Sequence, residues 1–308
     1  MSFQSRRRPQ LPQIQEEGFF FVSVDGELAR ASNKDLRQFE VLKGHPESLA
    51  LRGPKLEAVE NFDKAAFEAA LQAENRWKME LKHFQGVLES VGSLRSGDGA
   101  SFFLSPGLLD QHLCSYMSLK EEKLFAAVKR RGLFFLADLD LILDSGSRKF
   151  DPLAVNSSFE FRNLLLPADP HGGRQRDVGR ERRLYRRFRL RVPESASLGT
   201  QSATIHSASW VHAAQDGRPL LVKVKKGRDM KPHFMKELAL RCVLTGSAGA
   251  FLACKHPEDE GRLEEVHSFS REALIQTSKR AFDMDAAMDT VKKVLSQVQR
   301  DLDRYPEG

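Results

Sequence analysis

The chain has 308 residues, 41% of them hydrophobic and 29% charged, which is enough apolar material for a substantial core in one fairly large domain. No stretch approaches the roughly eighteen uninterrupted apolar residues that a membrane-spanning helix needs. The three cysteines, Cys114, Cys242 and Cys254, show neither metal-binding spacing nor a disulfide framework, which suits a reducing compartment.

A net charge of +6 points towards a polyanionic partner, and its distribution says more than its size. Nine arginines lie between Arg174 and Arg191, against Asp177 and Glu181 alone. At the N-terminus, Arg6, Arg7, Arg8, Pro9 and Pro12 make residues 1–17 read as a disordered basic arm, followed by a single domain over 18–305. The arm lacks the apolar centre of a secretory signal. The expected location is nuclear or cytoplasmic, with a mitochondrial transit peptide as the other reading of those residues.

In chain order, residues 18–24 are an apolar, aromatic run that predicts a strand. Phe67, Leu71, Trp77, Leu81, Phe84 and Leu88 recur near helical spacing and predict a helix or a broken pair over 62–91. Residues 102–104 predict a short strand, 121–131 a helix, and 133–143 an apolar segment broken only by Asp138 and Asp140. Further on, Arg187, Arg189 and Arg191 alternate with Phe188, Leu190 and Val192. That alternation predicts a strand with one buried and one basic face.

Residues 204–213 and 218–226 then predict two strands joined at Asp216-Gly217, a hairpin signal. A helix over 236–243, a buried strand over 248–254 and a terminal amphipathic helix over 286–302 complete the order. The expected fold is α+β, with a central mixed β-sheet flanked by helices.

The run Leu220-Leu221-Val222-Lys223-Val224-Lys225-Lys226-Gly227 carries the chemistry. A metal-dependent nuclease of the PD-(D/E)XK type places an acid-apolar-Lys triplet on such a strand, and here the acid position reads Lys223. Taken alone, the lysines also fit the solvated face of an edge strand. His206 and His212 have no cysteine or second carboxylate in company, and no GxSxG, HExxH or Walker pattern occurs.

Several segments share an order and spacing with one family. They are Phe19-Phe20-Phe21-Val22-Ser23-Val24-Asp25-Gly26, Ser209-Trp210-Val211, Lys223-Val224-Lys225, the helix through Arg241, and Val266-His267-Ser268-Phe269. In this the chain resembles the DXO family of RNA 5′-end decapping nucleases, relatives of the partner of the nuclear 5′–3′ exoribonuclease. The resemblance implies a PD-(D/E)XK-like core.

It also implies that the acidic metal ligands fall on Leu136 (from Gly132-Leu133-Phe134-Phe135-Leu136), Ser209, Val211 and Lys223. Lys225 would be the retained lysine, and Arg241 would stand in place of a glutamine. Like charges about 4 Å apart repel by roughly 4 kcal/mol at an effective dielectric of about 20, so Lys223 beside Lys225 opposes a divalent cation.

The expectation is therefore a catalytically degenerate relative, like the insect Cutoff-type proteins, with no catalytic residues and no cofactor. It would bind RNA 5′ ends or RNA-processing machinery through Lys223, Lys225, Arg241, Arg187, Arg189 and Arg191. The alternative is an active magnesium- or manganese-dependent decapping pyrophosphohydrolase or 5′–3′ exoribonuclease, with Asp138 and Asp140 as displaced ligands. A third reading is a scaffold for an exoribonuclease or another multi-protein complex, docking through the arginines with no RNA or membrane contact.

Overall fold

The computed structural model describes residues 11–23, 27–41, 85, 100–105, 107–119, 122, 124–138, 157, 161, 162, 164–166, 182–194, 202–258, 262–278 and 283–305. The helical expectation over 62–91 and the candidate Asp140 lie outside the described residues.

Eleven strands are described: β1 (Gln13–Ser23), β2 (Leu28–Ala31), β3 (Ala100–Leu104), β4 (Phe125–Arg130), β5 (Leu133–Asp138), β6 (Arg182–Val192), β7 (Ala203–Trp210), β8 (Ala213–Gln215), β9 (Arg218–Lys226), β10 (Gly249–Lys255) and β11 (Leu263–Ser270). The described α-helices are α1 (Asn33–Leu36), α2 (Cys114–Leu119), α3 (Pro232–Thr245), α4 (Arg271–Ser278) and α5 (Met284–Leu302). A mixed seven-stranded sheet runs β2-β1-β6-β7-β3-β5-β4, and a four-stranded sheet runs β11-β10-β9-β8. The fold class is the α+β domain expected, with a mixed sheet flanked by helices.

Helix α3 sits between the sheets because two of its faces are apolar. Leu240, Val243 and Leu244 pack on Phe102, Leu104, Phe134, Leu136, Phe188, Leu190 and Ile205 of the large sheet. Met235, Leu238, Ala239 and Cys242 pack on Leu221 and Ala250 of the small one. Each such side chain contributes about 1.5–3 kcal/mol when fully buried, so the helix ties the sheets together. It ends at Gly246, whose φ of 66° is left-handed and which suits glycine at that position.

The alternation read in β6 holds: Phe188, Leu190 and Val192 are buried while Arg189 and Arg191 are exposed. The Asp216-Gly217 hairpin also holds, with φ of 51° and 70°.

Three expectations need correction. Within 121–131 the described residues Phe125–Arg130 are strand and not helix, since β4 pairs antiparallel with β5 across Arg131 and Gly132, both at positive φ, the geometry of a two-residue hairpin. Residues 204–213 are not one strand. β7 stops at Trp210, the Val211 N–H donates to the Leu184 carbonyl at 2.9 Å, and β8 starts afresh in the small sheet. The arm drawn over 1–17 runs too far, because Gln13 is already paired with Arg191.

Candidate functional site

The face of the large sheet turned towards α3 is apolar along most of β6 and β7, and Arg186 interrupts it. In the antiparallel register Arg186 stands opposite Ser209, so the two side chains lie next to each other on one face. Arg186 is 4% exposed and Ser209 5%. The Arg186 Nη1 donates to the Gly246 carbonyl at 3.3 Å, at the C-terminal end of α3, where the helix dipole favours a cation. Its Nε and Nη2 are buried without a hydrogen-bond partner. Burial pushes this guanidinium down to about 10, with Glu16 opposing the shift, so it is charged at neutral pH. Glu16 is an exposed residue of β1, yet its carboxyl is held above the usual range by lost hydration, partly offset by Arg186.

The positions expected to have lost acids lie on or near this face. Leu136 belongs to the main core, and Val211 is fully buried with Phe19, Leu184 and Ala214. Pairings of Phe103 with His206 and of Leu104 with Leu136 carry the row of Ser209 across to Asp138, at the end of β5. Asp138 is buried but two strand spacings from Ser209, roughly 10 Å. Among the described residues no three His, Cys, Asp or Glu side chains group as metal ligands. Apolar Leu136 and Val211, a serine and a neighbouring guanidinium do not fit a divalent cation, which needs a shell of anionic or neutral oxygens.

Lys223 and Lys225 lie together on the other sheet. They share the face of Leu221, towards α3, whereas Val222 packs on the opposite side with Phe161 and Leu165. Their rows continue through Leu252 and Cys254 of β10 to His267 and Glu265 of β11. The Lys225 ammonium donates to the Gly227 carbonyl at 2.6 Å. Burial raises the Cys254 thiol, with Lys225 pulling it down. Nearby, Arg228 bridges Glu264 and Glu265, each at 3.0 Å. The lysine pair thus belongs to a face of mixed sign.

Arg241 is held by Glu237 at 2.6 Å. At 100° per residue it lies roughly 110° round α3 from the stripe that meets the small sheet, off the side facing the lysines. On the outer face of the large sheet, Arg187 donates to the Glu17 carbonyl at 3.5 Å and Arg189 to the Gln15 side chain at 2.8 Å, while Arg191 is exposed opposite Gln13.

Two further residues escaped the sequence reading. Arg186 falls in phase with Leu184 and Phe188, and an arginine in an apolar register is the signal that could have found it. Arg162 is buried 4.5 Å from the Trp210 ring, with Arg183 at 5.0 Å from the same ring. Burial first, then the Arg183 charge, push it down to about 9, against Tyr185.

No protein-family model matches the sequence, and no curated protein matches it significantly. Solved structures do match. An S. pombe Rai1 mutant bound to 3′-FADP superposes with a TM-score of 0.63 at 12% identity, over 100% of this chain and 92% of that one. Candida albicans Rai1 with pU5 and Mn2+ gives 0.58 at 12%, over 93% and 81%. K. lactis Dxo1 with manganese gives 0.61 at 9%, over 95% and 83%. Over nearly its whole length, the chain therefore has the fold of the Rai1 and Dxo1 structures.

Proposed function

We propose that this chain is a decapping-nuclease-fold protein that binds RNA 5′ ends, or the machinery that handles them, and does not cleave RNA by a metal-assisted route. The observation that carries this reading is the sheet face turned towards α3, on which Arg186, Ser209 and Leu136 lie, with Val211 nearby. Where metal-assisted hydrolysis requires carboxylates to hold a cation and activate water, these side chains are cationic, neutral or apolar. The pU5 bound by the similar Candida albicans Rai1 supports RNA as the ligand class, and exposed Arg189 and Arg191 supply charge for phosphate contacts. An exoribonuclease partner and a nuclear or cytoplasmic location belong to the same proposal.

The test is anisotropy with single-stranded RNA over a salt series, with turnover of capped and 5′-triphosphorylated RNA measured in parallel in manganese. Binding without turnover is expected. If Lys223 and Lys225 each hold a phosphate, the Lys223→Ala, Lys225→Ala double variant lowers the salt slope by about 1.4, roughly 0.7 per contact on a single strand. An unchanged slope removes those two from the site. Buried Asp138 favours one second reading, an active enzyme with displaced ligands, and manganese-dependent turnover abolished by Asp138→Asn would establish it.

A further inference from the structure

We infer that Arg186 and Ser209, on the face of the large sheet turned towards α3, make a metal-free oxyanion site that takes a phosphate group. This deepens the proposed function by naming how a phosphate is held, and it can fail separately from that reading.

An arginine has five N–H donors, and capping α3 at the Gly246 carbonyl uses one on Nη1. The remaining Nε and Nη2 form the side-on edge that matches two oxygens of a phosphate or carboxylate, and both are buried and unpartnered. The Gly246 anchor fixes the direction of that edge, so little rotamer freedom is lost when an anion arrives. Both nitrogens are out of contact with solvent, so the guanidinium has already lost its hydration in the folded chain, and an anion reaches it by displacing the packing around it. Ser209, directly across the ladder, adds a hydroxyl with no side-chain hydrogen bond among the described residues. The acid that Arg186 feels is Glu16, and no ion pair joins them within 4 Å among the described residues. A buried cation left in this condition favours an incoming anion.

The source could be free phosphate or the terminal phosphate of an RNA, so the full-length chain is tested with both, in EDTA. Inorganic phosphate should raise the wild-type melting midpoint saturably, beyond chloride at matched ionic strength. A 5′-phosphorylated RNA pentamer should bind at least about tenfold more tightly than its 5′-hydroxyl form, the scale of one charged hydrogen bond.

Ser209→Glu places a carboxylate across from Arg186 and should abolish both responses while the protein stays folded. Ser209→Ala, the smaller change, should weaken phosphate about tenfold, and it decides the matter if the glutamate variant does not fold. No phosphate response in the wild type, or a response undiminished in both variants, overturns the site. RNA binding with neither a phosphate response nor a 5′ preference overturns the site and leaves the proposed function standing. A phosphate response that Ser209→Glu abolishes, without RNA binding, upholds the site and overturns the RNA reading.

Discussion

Gly246→Ala tests how tightly the C-terminal end of α3 is built against β1 and β6. A Cβ there would lie 2.9 and 3.0 Å from the Ile14 side chain and 3.3 Å from Arg186 Nη2, on a residue whose φ is +66°. The left-handed backbone costs a non-glycine residue about 1–2 kcal/mol, and forcing a methyl into packed surroundings adds about 1–3 kcal/mol. The expected loss is therefore about 2–5 kcal/mol. Gly227→Ala is the control, with φ of +69° and nothing within 4 Å of its Cβ, so only the backbone cost of about 1–2 kcal/mol applies. At about 2.1 cal/mol/K per residue, 308 residues convert 1 kcal/mol into about 1.5 °C of melting temperature. Urea denaturation gives the energies directly. In an Ile14→Ala background the two shortest contacts are removed and only Arg186 Nη2 at 3.3 Å remains, so Gly246→Ala should then cost little more than Gly227→Ala. Equal losses in the two backgrounds would refute the account of crowding.

Gly249→Ala should be more severe, because its Cβ would lie 2.1 Å from the backbone carbonyl of Phe269, which cannot move without parting β10 from β11; a loss of about 3 kcal/mol or more is expected, measured by urea denaturation. Glu16→Gln should stabilise the protein at pH 7. The folded-state pKa of Glu16 is raised above 4.5, so ionisation costs stability above the folded value. That cost disappears as the pH falls below 4.5, and the two proteins should then melt together. A Gln variant less stable at pH 7 would mean that the attraction of Arg186 outweighs lost hydration.

The strands that could be read from the sequence are those whose faces differ in polarity. Phe188, Leu190 and Val192 against Arg189 and Arg191 announced β6 without reference to its neighbours. Residues 121–131 misled because Glu, Lys, Leu and Ala favour helix locally, while pairing of Phe125–Arg130 with Leu133–Asp138 rests on contacts no propensity records. The break at Val211 was equally hidden. It depends on the Leu184 carbonyl and on His212 Nδ1 accepting from the Val222 N–H at 3.3 Å, partners distant in sequence. At the site, the letters Leu136, Ser209, Val211 and Lys223 could be read directly, but the charge of the faces turned towards α3 could not. Lys223 and Lys225 were expected to supply the positive charge, yet they share their face with Glu265 and His267. Arg186 lies between the sheets, concealed in sequence as one arginine among nine.

A buried guanidinium with one hydrogen bond of 3.3 Å is a poor stabilising device. Desolvating an ion costs several kcal/mol, and exchanging buried charges for apolar residues of similar volume is often neutral or stabilising. Arg186→Met keeps most of the volume and the contact with Phe188, whose ring lies 5.4 Å away. It gives up one hydrogen bond to Gly246, about 1 kcal/mol net. If Arg186 serves an anion, the variant should be within about 1 kcal/mol of wild type, or more stable, and should show no phosphate response. If Arg186 is instead the structural cap of α3, the loss should reach about 3 kcal/mol or more in urea, the upper end of the cost of leaving a hydrogen-bonding group without its partner. The two outcomes differ by more than the error of the measurement, so a single equilibrium titration separates a binding residue from a structural one.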